Sequence, residues 1–578
     1  MTRVFPALVL AASALAGATL VTAQGQPGGR GIARDPRQAQ QQTAGTAVIR
    51  GRIRTADTGA PIRRAQVRAV AGDIRGSRLA TTDGEGRFEF RDLPAGRWQI
   101  SASKAGFVTL RYGQRRPFEA GRPIELGDNQ TISNADIALP RGAAITGRVY
   151  DEFGDAVAGA RLQVMRYQMI EGTRRLTPTG IGDQSDDTGA FRLYGLTPGD
   201  YYVSAAVRAL PVDDPSADAA GYAPTYYPGT GNIAEAQRLT VTVGQELTNI
   251  SFALQPVRTV RVSGHVIDSQ GKPLGGGFLS LLPADSSSDA PIFFGGGGGV
   301  RGDGTFTLTN VSPGSYTLMV VSGAPFGRGF GGFGGRGGAF NSADAGEIAS
   351  MSLSVGTEDL KDLYVVTGKG ATLSGTVVAA PGATSTPPLS NIQISTQPVP
   401  FSRGLPARQA GVDANGAFTL GGLVGSCVLR VSGLPQTWMV DAIVLNGSDI
   451  TDRPLEFTAS QEVRNVRIQL TDKVTQLSGT VMSGNQAAKD YTVVVFPDDN
   501  DKWAFPSRYV RSGRPDQDGT FKIGALPPDD KYLAVAVDYL EDGEASDPQF
   551  LEQMRDRATK FGIGAGEAKS LELKLIER

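Results

Sequence analysis

The amino-acid sequence predicts an all-β chain, a tandem array of five Greek-key β-sandwiches with one short helix in the last. Three observations carry this. A turn-strand-turn-strand phrase, read most fully from Asp187-Thr188-Gly189-Ala190-Phe191-Arg192-Leu193-Tyr194 to Thr197-Pro198-Gly199-Asp200-Tyr201, is written five times. An opening strand with a glycine at its centre precedes each copy. The 578 residues include 76 glycines and 34 prolines, which suits many short strands and tight turns.

The phrase has a physical reading. Asp187 and Gly189 supply turn chemistry, because Asp bonds its own backbone and Gly accepts positive φ. Phe191 and Leu193 alternate with Arg192, the period of a half-buried strand. Pro198-Gly199 makes the next reversal and Tyr201 starts another strand. The equivalent phenylalanines are Phe88, Phe191, Phe306, Phe418 and Phe521, spaced by about a hundred residues, the size of a domain rather than of a solenoid repeat. In the fourth copy Gly425-Ser426 replaces Pro-Gly, and Val428 stands where the others carry an aromatic.

Taken in order, Arg3, the apolar run Val4–Leu20 and the small residues Val21-Thr22-Ala23 read as a signal peptide over 1–23, cleaved before Gln24. Residues 24–45 are rich in Gln, Gly and Arg without apolar periodicity and read as a disordered linker. The sandwiches are expected at 46–140, 141–256, 257–367, 368–471 and 472–578. They open with Ile49-Arg50-Gly51-Arg52-Ile53, Ile145-Thr146-Gly147-Arg148-Val149, Val262-Ser263-Gly264-His265-Val266, Leu373-Ser374-Gly375-Thr376-Val377 and Leu477-Ser478-Gly479-Thr480-Val481. A glycine inside such a strand predicts a bulge or the close approach of a neighbour. Alternating strands such as Ile250–Leu254, Val466–Leu470 and Leu571–Leu575 close the repeats. In the third, Gly295–Gly299 and Gly323–Phe340 are too poor in core residues to pack and read as flexible loops. In the fifth, Asp547 can cap a helix begun by Pro548, with Phe550, Leu551, Met554 and Ala558 on one face. That helix is expected to cover an end of the last sandwich.

The glycine strand, the Asp-x-x-Gly-x-Phe turn and Leu-x-Pro-Gly-x-Tyr together resemble the carboxypeptidase regulatory-like domain, from Thr46 to the C-terminus. The resemblance implies a prealbumin-like sandwich, grouped with starch-binding-like and collagen-adhesin B-type domains, an exported bacterial setting and carbohydrate binding. It does not imply peptidase activity, since these domains accompany catalytic domains. No lysine matches the isopeptide-forming position of the adhesin type.

Composition narrows the function. The net charge of −1 favours neither nucleic acid nor an anionic membrane. Cys427 is the single cysteine and His265 the single histidine, so neither a disulfide framework, a His-based metal site nor a His-assisted nucleophile can be assembled. No catalytic residue, metal or cofactor is expected. Asp516-Gln517-Asp518-Gly519 resembles the start of a calcium loop, but Phe521 and Ile523 follow where oxygen ligands are needed. Arg301-Gly302-Asp303 falls on the repeat's own turn. The ligand candidates are aromatic: Tyr222, Tyr226 and Tyr227 in a proline-stiffened loop of the second repeat, and Trp503, Phe505 and Tyr509 in the fifth. Tyrosine faces with hydroxyls suit sugar stacking, although the same rings can pack back on their own domain.

The expectation is therefore an exported, non-enzymatic, monomeric array that binds polysaccharide or another cell-envelope component, in the periplasm, on the outer surface or outside the cell. No transmembrane segment is expected after cleavage of the signal. A structural or adhesive spacer without a small ligand is the alternative. A carboxylate-type glycoside hydrolase, which needs no histidine, is the remote one.

Overall fold

In a computed structural model of the protein the described residues are 45–71, 77–170, 172–207, 220–284, 295–322, 340–341, 346–399 and 408–578. The expected signal peptide and almost all of the linker lie outside them, as does nearly all of 323–340.

Each opening strand sits between two partners. The phenylalanine strand runs antiparallel beside it, and the strand that closes the repeat runs parallel on its other side. The repeated glycine and phenylalanine are direct cross-strand partners in all five copies: Gly51 and Phe88, Gly147 and Phe191, Gly264 and Phe306, Gly375 and Phe418, Gly479 and Phe521. The glycine is needed for space. A Cβ there would lie 2.3 Å from the carbonyl oxygen of Ala135 in the first copy, 1.9 Å from Ile250, 2.0 Å from Leu363, 2.1 Å from Val466 and 1.8 Å from Leu571 in the others. The closing strand thus crosses directly over the glycine. In the third and fourth copies the parallel ladder also slips register at that point. The approach expected of a neighbour is what the fold contains.

The second sheet of the first sandwich pairs Gln66–Ala71 with Ser77–Thr81 on one side and Gly96–Ser103 on the other, and the second to fourth repeats keep this plan. Between the sheets lies a core built from the inward positions of both, one for each repeat. In the fifth, Ala568–Ile576 pairs with both Gln476–Ser483 and Asp529–Val537, so the two sheets join along one strand. The protein is all-β, a series of β-sandwiches with the short helix Pro548–Met554 in the last.

The turns follow the expected chemistry with one shift. Asp186, not Asp187, accepts from the backbone N–H groups of Thr188 and Ala190 at 2.9 Å each, as Asp83, Asp413 and Asp516 do in their copies. Asp516 therefore serves its own turn. The aromatic that starts the next strand ties its polar end to a carbonyl just upstream. Tyr201, Tyr316 and Tyr532 donate to Thr197, Ser312 and Pro527 at 2.6, 2.8 and 2.9 Å, and the Trp98 indole donates to Pro94 at 3.1 Å. In the fourth copy Cys427, not Val428, holds this place. Gly425 pairs with Phe457 as Gly199 pairs with Val241, which puts the thiol in register with Tyr201.

Two further expectations change. Gly295–Val300 is a strand, paired antiparallel with Gly277–Leu281, because backbone hydrogen bonds to an edge need no side chains. The helix, capped by Asp547 as expected, covers a face of its sandwich and not an end. Val494, Phe496, Leu533, Val535 and Val537 point away from the inter-sheet core and need a cover, which Phe550, Leu551 and Met554 provide.

Candidate functional site

The aromatic loop of the second sandwich is folded onto its own domain. Tyr222 pairs with Pro256 in a two-stranded ribbon, and its hydroxyl donates to Glu152 at 2.6 Å. That bond, helped by burial, pushes the phenol up to about 12. Thr225–Tyr226 pairs with Ser204–Ala205, which sends neighbouring side chains to opposite faces. Tyr226, 2% exposed, lies in a small cluster with Met165 and Leu176 on the outer face of the sheet. Tyr227 packs into the inner core, edge-on to Phe252 at 6.0 Å.

The loop of the fifth sandwich is likewise engaged. Trp503, 5% exposed, stands edge-on to Phe496 at 5.6 Å and donates to the Pro497 carbonyl at 2.7 Å, with the Arg555 guanidinium over its ring at 5.0 Å. Tyr509 is half-buried, with the Lys502 ammonium 5.0 Å from its ring centre. Between them the loop docks on the fourth sandwich. Arg508 reaches both carboxylate oxygens of Asp452 at 3.0–3.1 Å and the Val440 carbonyl at 3.1 Å, and Arg430 donates to the Pro506 carbonyl. Of the three rings only Phe505, at 36%, is exposed. Among the described residues no ring of one loop contacts a ring of the other. Tyr226 and Trp503 have no face left for a sugar.

The structure instead brings together residues that the sequence reading passed over. Residues 111–125 of the first sandwich lie against the fifth. Arg116 pairs with Asp538 at 2.9 Å and Arg111 with Asp542 at 3.2 Å, while the Tyr539 hydroxyl donates to the Pro117 carbonyl at 2.8 Å. Glu125 and Gln517 exchange hydrogen bonds at 3.1 and 3.2 Å. At the centre Arg514 forms ion pairs with Glu119 and Asp490, and the Arg514 and Glu119 side chains are 2% and 1% exposed. Phe118 takes a left-handed backbone conformation, φ +60°, which a bulky residue adopts only when its surroundings enforce it. The second sandwich joins through Arg166, whose guanidinium lies over the Phe118 ring and 2.7 Å from Glu541.

Beside this junction is an open cleft of about 460 Å³ bounded by all three sandwiches. Tyr167 and Tyr202, edge-on at 5.6 Å, form one wall, with the Arg174 guanidinium 4.3 Å from the Tyr167 ring centre. Arg238 pairs with Asp200 at 3.4 Å, and Asp200 shares a strand face with Tyr202. No local pattern announces these residues. Arg166, Tyr167, Arg174, Asp200 and Tyr202 stand on strands that recur in the other repeats, and only the packing of the sandwiches gathers them.

His265 stacks on Tyr364 at 5.5 Å, away from the junction in sequence and sheet. Cys427 is buried, its thiol pushed up to about 11 by desolvation and then by Glu456. Among the described residues no group of three His, Cys, Asp or Glu side chains is placed to hold a metal ion, and no helix is long and apolar enough to cross a membrane.

The strand order and the glycine–phenylalanine pairing of the first sandwich meet an independent finding over residues 48–140. This stretch matches the carboxypeptidase regulatory-like domain. The regulatory-like match begins inside the first opening strand and ends just after Leu139, the last residue of its closing strand. No curated protein matches the sequence. Similar solved structures include a streptococcal ancillary pilin, at 12% identity over 56% of this chain and 98% of that one, TM-score 0.20. GBS52, the minor pilin of Streptococcus agalactiae, is similar at 14% over 37% and 98%, TM-score 0.21. BcpA, the major pilin subunit of Bacillus cereus, is similar at 11% over 57% and 99%, TM-score 0.14.

Proposed function

We propose that the protein is an exported, non-enzymatic scaffold of the cell envelope, divided into sandwiches at 46–140, 141–256, 257–367, 368–471 and 472–578, with the first, second and fifth held as one block. The observation that carries this is Arg514, buried between Glu119 and Asp490 where the fifth sandwich meets the first. A flexible string of modules has no use for a buried ion pair between distant repeats. Such a pair is costly to desolvate and survives only where the geometry is held. The isolated histidine and the inert, buried cysteine support a non-catalytic role.

Small-angle scattering of the mature chain beginning at Gln24 tests the block. The wild type should give one compact distance distribution, and Glu119→Ala with Arg514→Ala should broaden it. A wild type already as extended and variable as the double variant would overturn the scaffold. A second reading, retention of polysaccharide, is favoured by the tyrosine- and arginine-lined cleft and does not need Tyr226 or Trp503 as stacking surfaces.

A further inference from the structure

We propose that the cleft between the first, second and fifth sandwiches binds a uronic-acid-bearing oligosaccharide, with Arg174 as the group that recognises the carboxylate. The proposal rests on the polysaccharide reading and not on the scaffold reading, and it assigns a site that the sequence did not point to.

The charges of the cleft separate into roles. Arg166 is already paired with Glu541 at 2.7 Å, and Arg238 with Asp200 at 3.4 Å. Arg174 is exposed, lies over Tyr167 at 4.3 Å and has no carboxylate partner among the described residues. Its guanidinium is held by the ring, and among the described residues its fork of donors faces no counter-ion. A planar fork over an aromatic ring is a good receptor for a single carboxylate, which it can meet with two parallel hydrogen bonds.

The rest of the lining suits a sugar ring better than a lipid. Arg238 and Asp200 place a donor and an acceptor side by side, and the Thr240 hydroxyl holds Asp200 in position at 2.6 Å. Adjacent ring hydroxyls each donate and accept, so a fixed donor–acceptor pair matches two of them at once. Tyr202 supplies an amphipathic wall on which the C–H face of a pyranose can lie. A volume of about 460 Å³ is within the range of pockets that take small ligands. A fatty chain would find too many polar groups there. Thr173–Gln184, which carries Arg174, is the edge of its sheet and pairs on one side only, with Arg161–Ile170, so the sugar reading rests on the donor–acceptor pair and the tyrosine wall.

The test is calorimetric titration of the full mature chain with tetragalacturonate and with neutral cellotetraose. The acidic tetramer should bind at least about tenfold more tightly than the neutral one, the increment of one charge-assisted contact. Arg174→Ala, at an exposed hairpin position, should remove that preference with the melting temperature unchanged. Asp200→Asn should weaken both tetramers. Equal binding of the two by the wild type, or a preference that survives Arg174→Ala, would overturn acidic recognition while the polysaccharide reading stands. No heat from either tetramer at millimolar concentration would overturn the site and the polysaccharide reading together, leaving the scaffold untouched.

Discussion

Arg166 of the second sandwich and Glu541 of the fifth lie 2.7 Å apart, and the same guanidinium rests on the ring of Phe118 from the first. One side chain therefore touches three sandwiches. Its surroundings make the contact firm, since the Arg166 side chain is only 10% exposed. Ion pairs at open surfaces contribute little, whereas those with restricted access to water are sensitive to loss of a partner.

Removing Glu119 should show this most clearly. Glu119→Ala leaves the Arg514 guanidinium buried with Asp490 as its remaining carboxylate partner, and breaking a buried pair in this way costs about 3–5 kcal/mol. Urea denaturation should reveal early release of the fifth sandwich from the first. Glu119→Leu with Arg514→Met should recover much of the loss. A single variant indistinguishable from wild type would mean that the junction does not persist in solution.

Tyr226→Ala should destabilise the second sandwich by about 3–5 kcal/mol, as deletion of a large buried ring does. Tyr226→Phe should keep nearly all of the packing. Both are read from the thermal melting of the 141–256 segment within the full chain, followed by hydrogen exchange. Unchanged protection in Tyr226→Ala would contradict the burial of that ring.

The fourth sandwich should lose stability at low pH through Asp472, the first residue of the fifth, whose carboxylate is bound by Thr384 and Ser385 of the fourth. Its carboxylate accepts from the Thr384 hydroxyl at 2.6 Å and the Ser385 hydroxyl at 2.7 Å, and from both backbone N–H groups. Thr384 first and Ser385 next hold its pKa down, from 3.8 to about 2. A depressed carboxyl stabilises the fold above the unfolded value and loses that contribution as pH falls through the folded one. The contribution should therefore be complete above pH 3.8 and decline toward pH 2. An NMR titration of the side chain reads it directly, and Asp472→Asn should lack this pH dependence.

Cys427 should be a reporter of the same sandwich. Burial pushes its thiol up to about 11, so almost none is thiolate at neutral pH, and a maleimide should not label the native chain. Labelling should begin only when the fourth sandwich opens, with the urea dependence of that event. Rapid labelling of the native protein would place Cys427 at an accessible surface.

Much of the fold was legible because it is local. The pairing of Gly375 with Phe418 is encoded by a turn aspartate, a period of two and a glycine, all within one stretch of chain, and it recurs. Asp186 and Asp187 are adjacent acids that both suit the turn, and register decides between them. The outer-face cover was not legible. Strand Thr492–Pro497 is apolar on both sides, yet nothing in its pattern says that Trp503 and the helix supply the second layer. Tyr226 and Tyr227 are neighbours sent to opposite faces by strand alternation, so a loop that reads as one aromatic platform is divided between two cores. The junction was hidden for a different reason. Glu119 and Arg514 are ordinary charged residues until the fold brings together segments from opposite ends of the chain.

The opening and closing strands of each sandwich have a mechanical consequence. They run parallel and adjacent, over Thr372–Ala379 with Glu462–Leu470 in the fourth sandwich and Gln476–Met482 with Ala568–Lys574 in the fifth. Tension transmitted along the chain pulls such neighbours in opposite senses along their common axis. The rungs between them then bear the load together, in shear, and do not peel one after another. The glycine under each crossover lets the closing strand lie close enough to take that load. A pull between the first and fifth sandwiches meets the Glu119–Arg514 clamp first, so the strands behind it carry force only after the clamp has slipped.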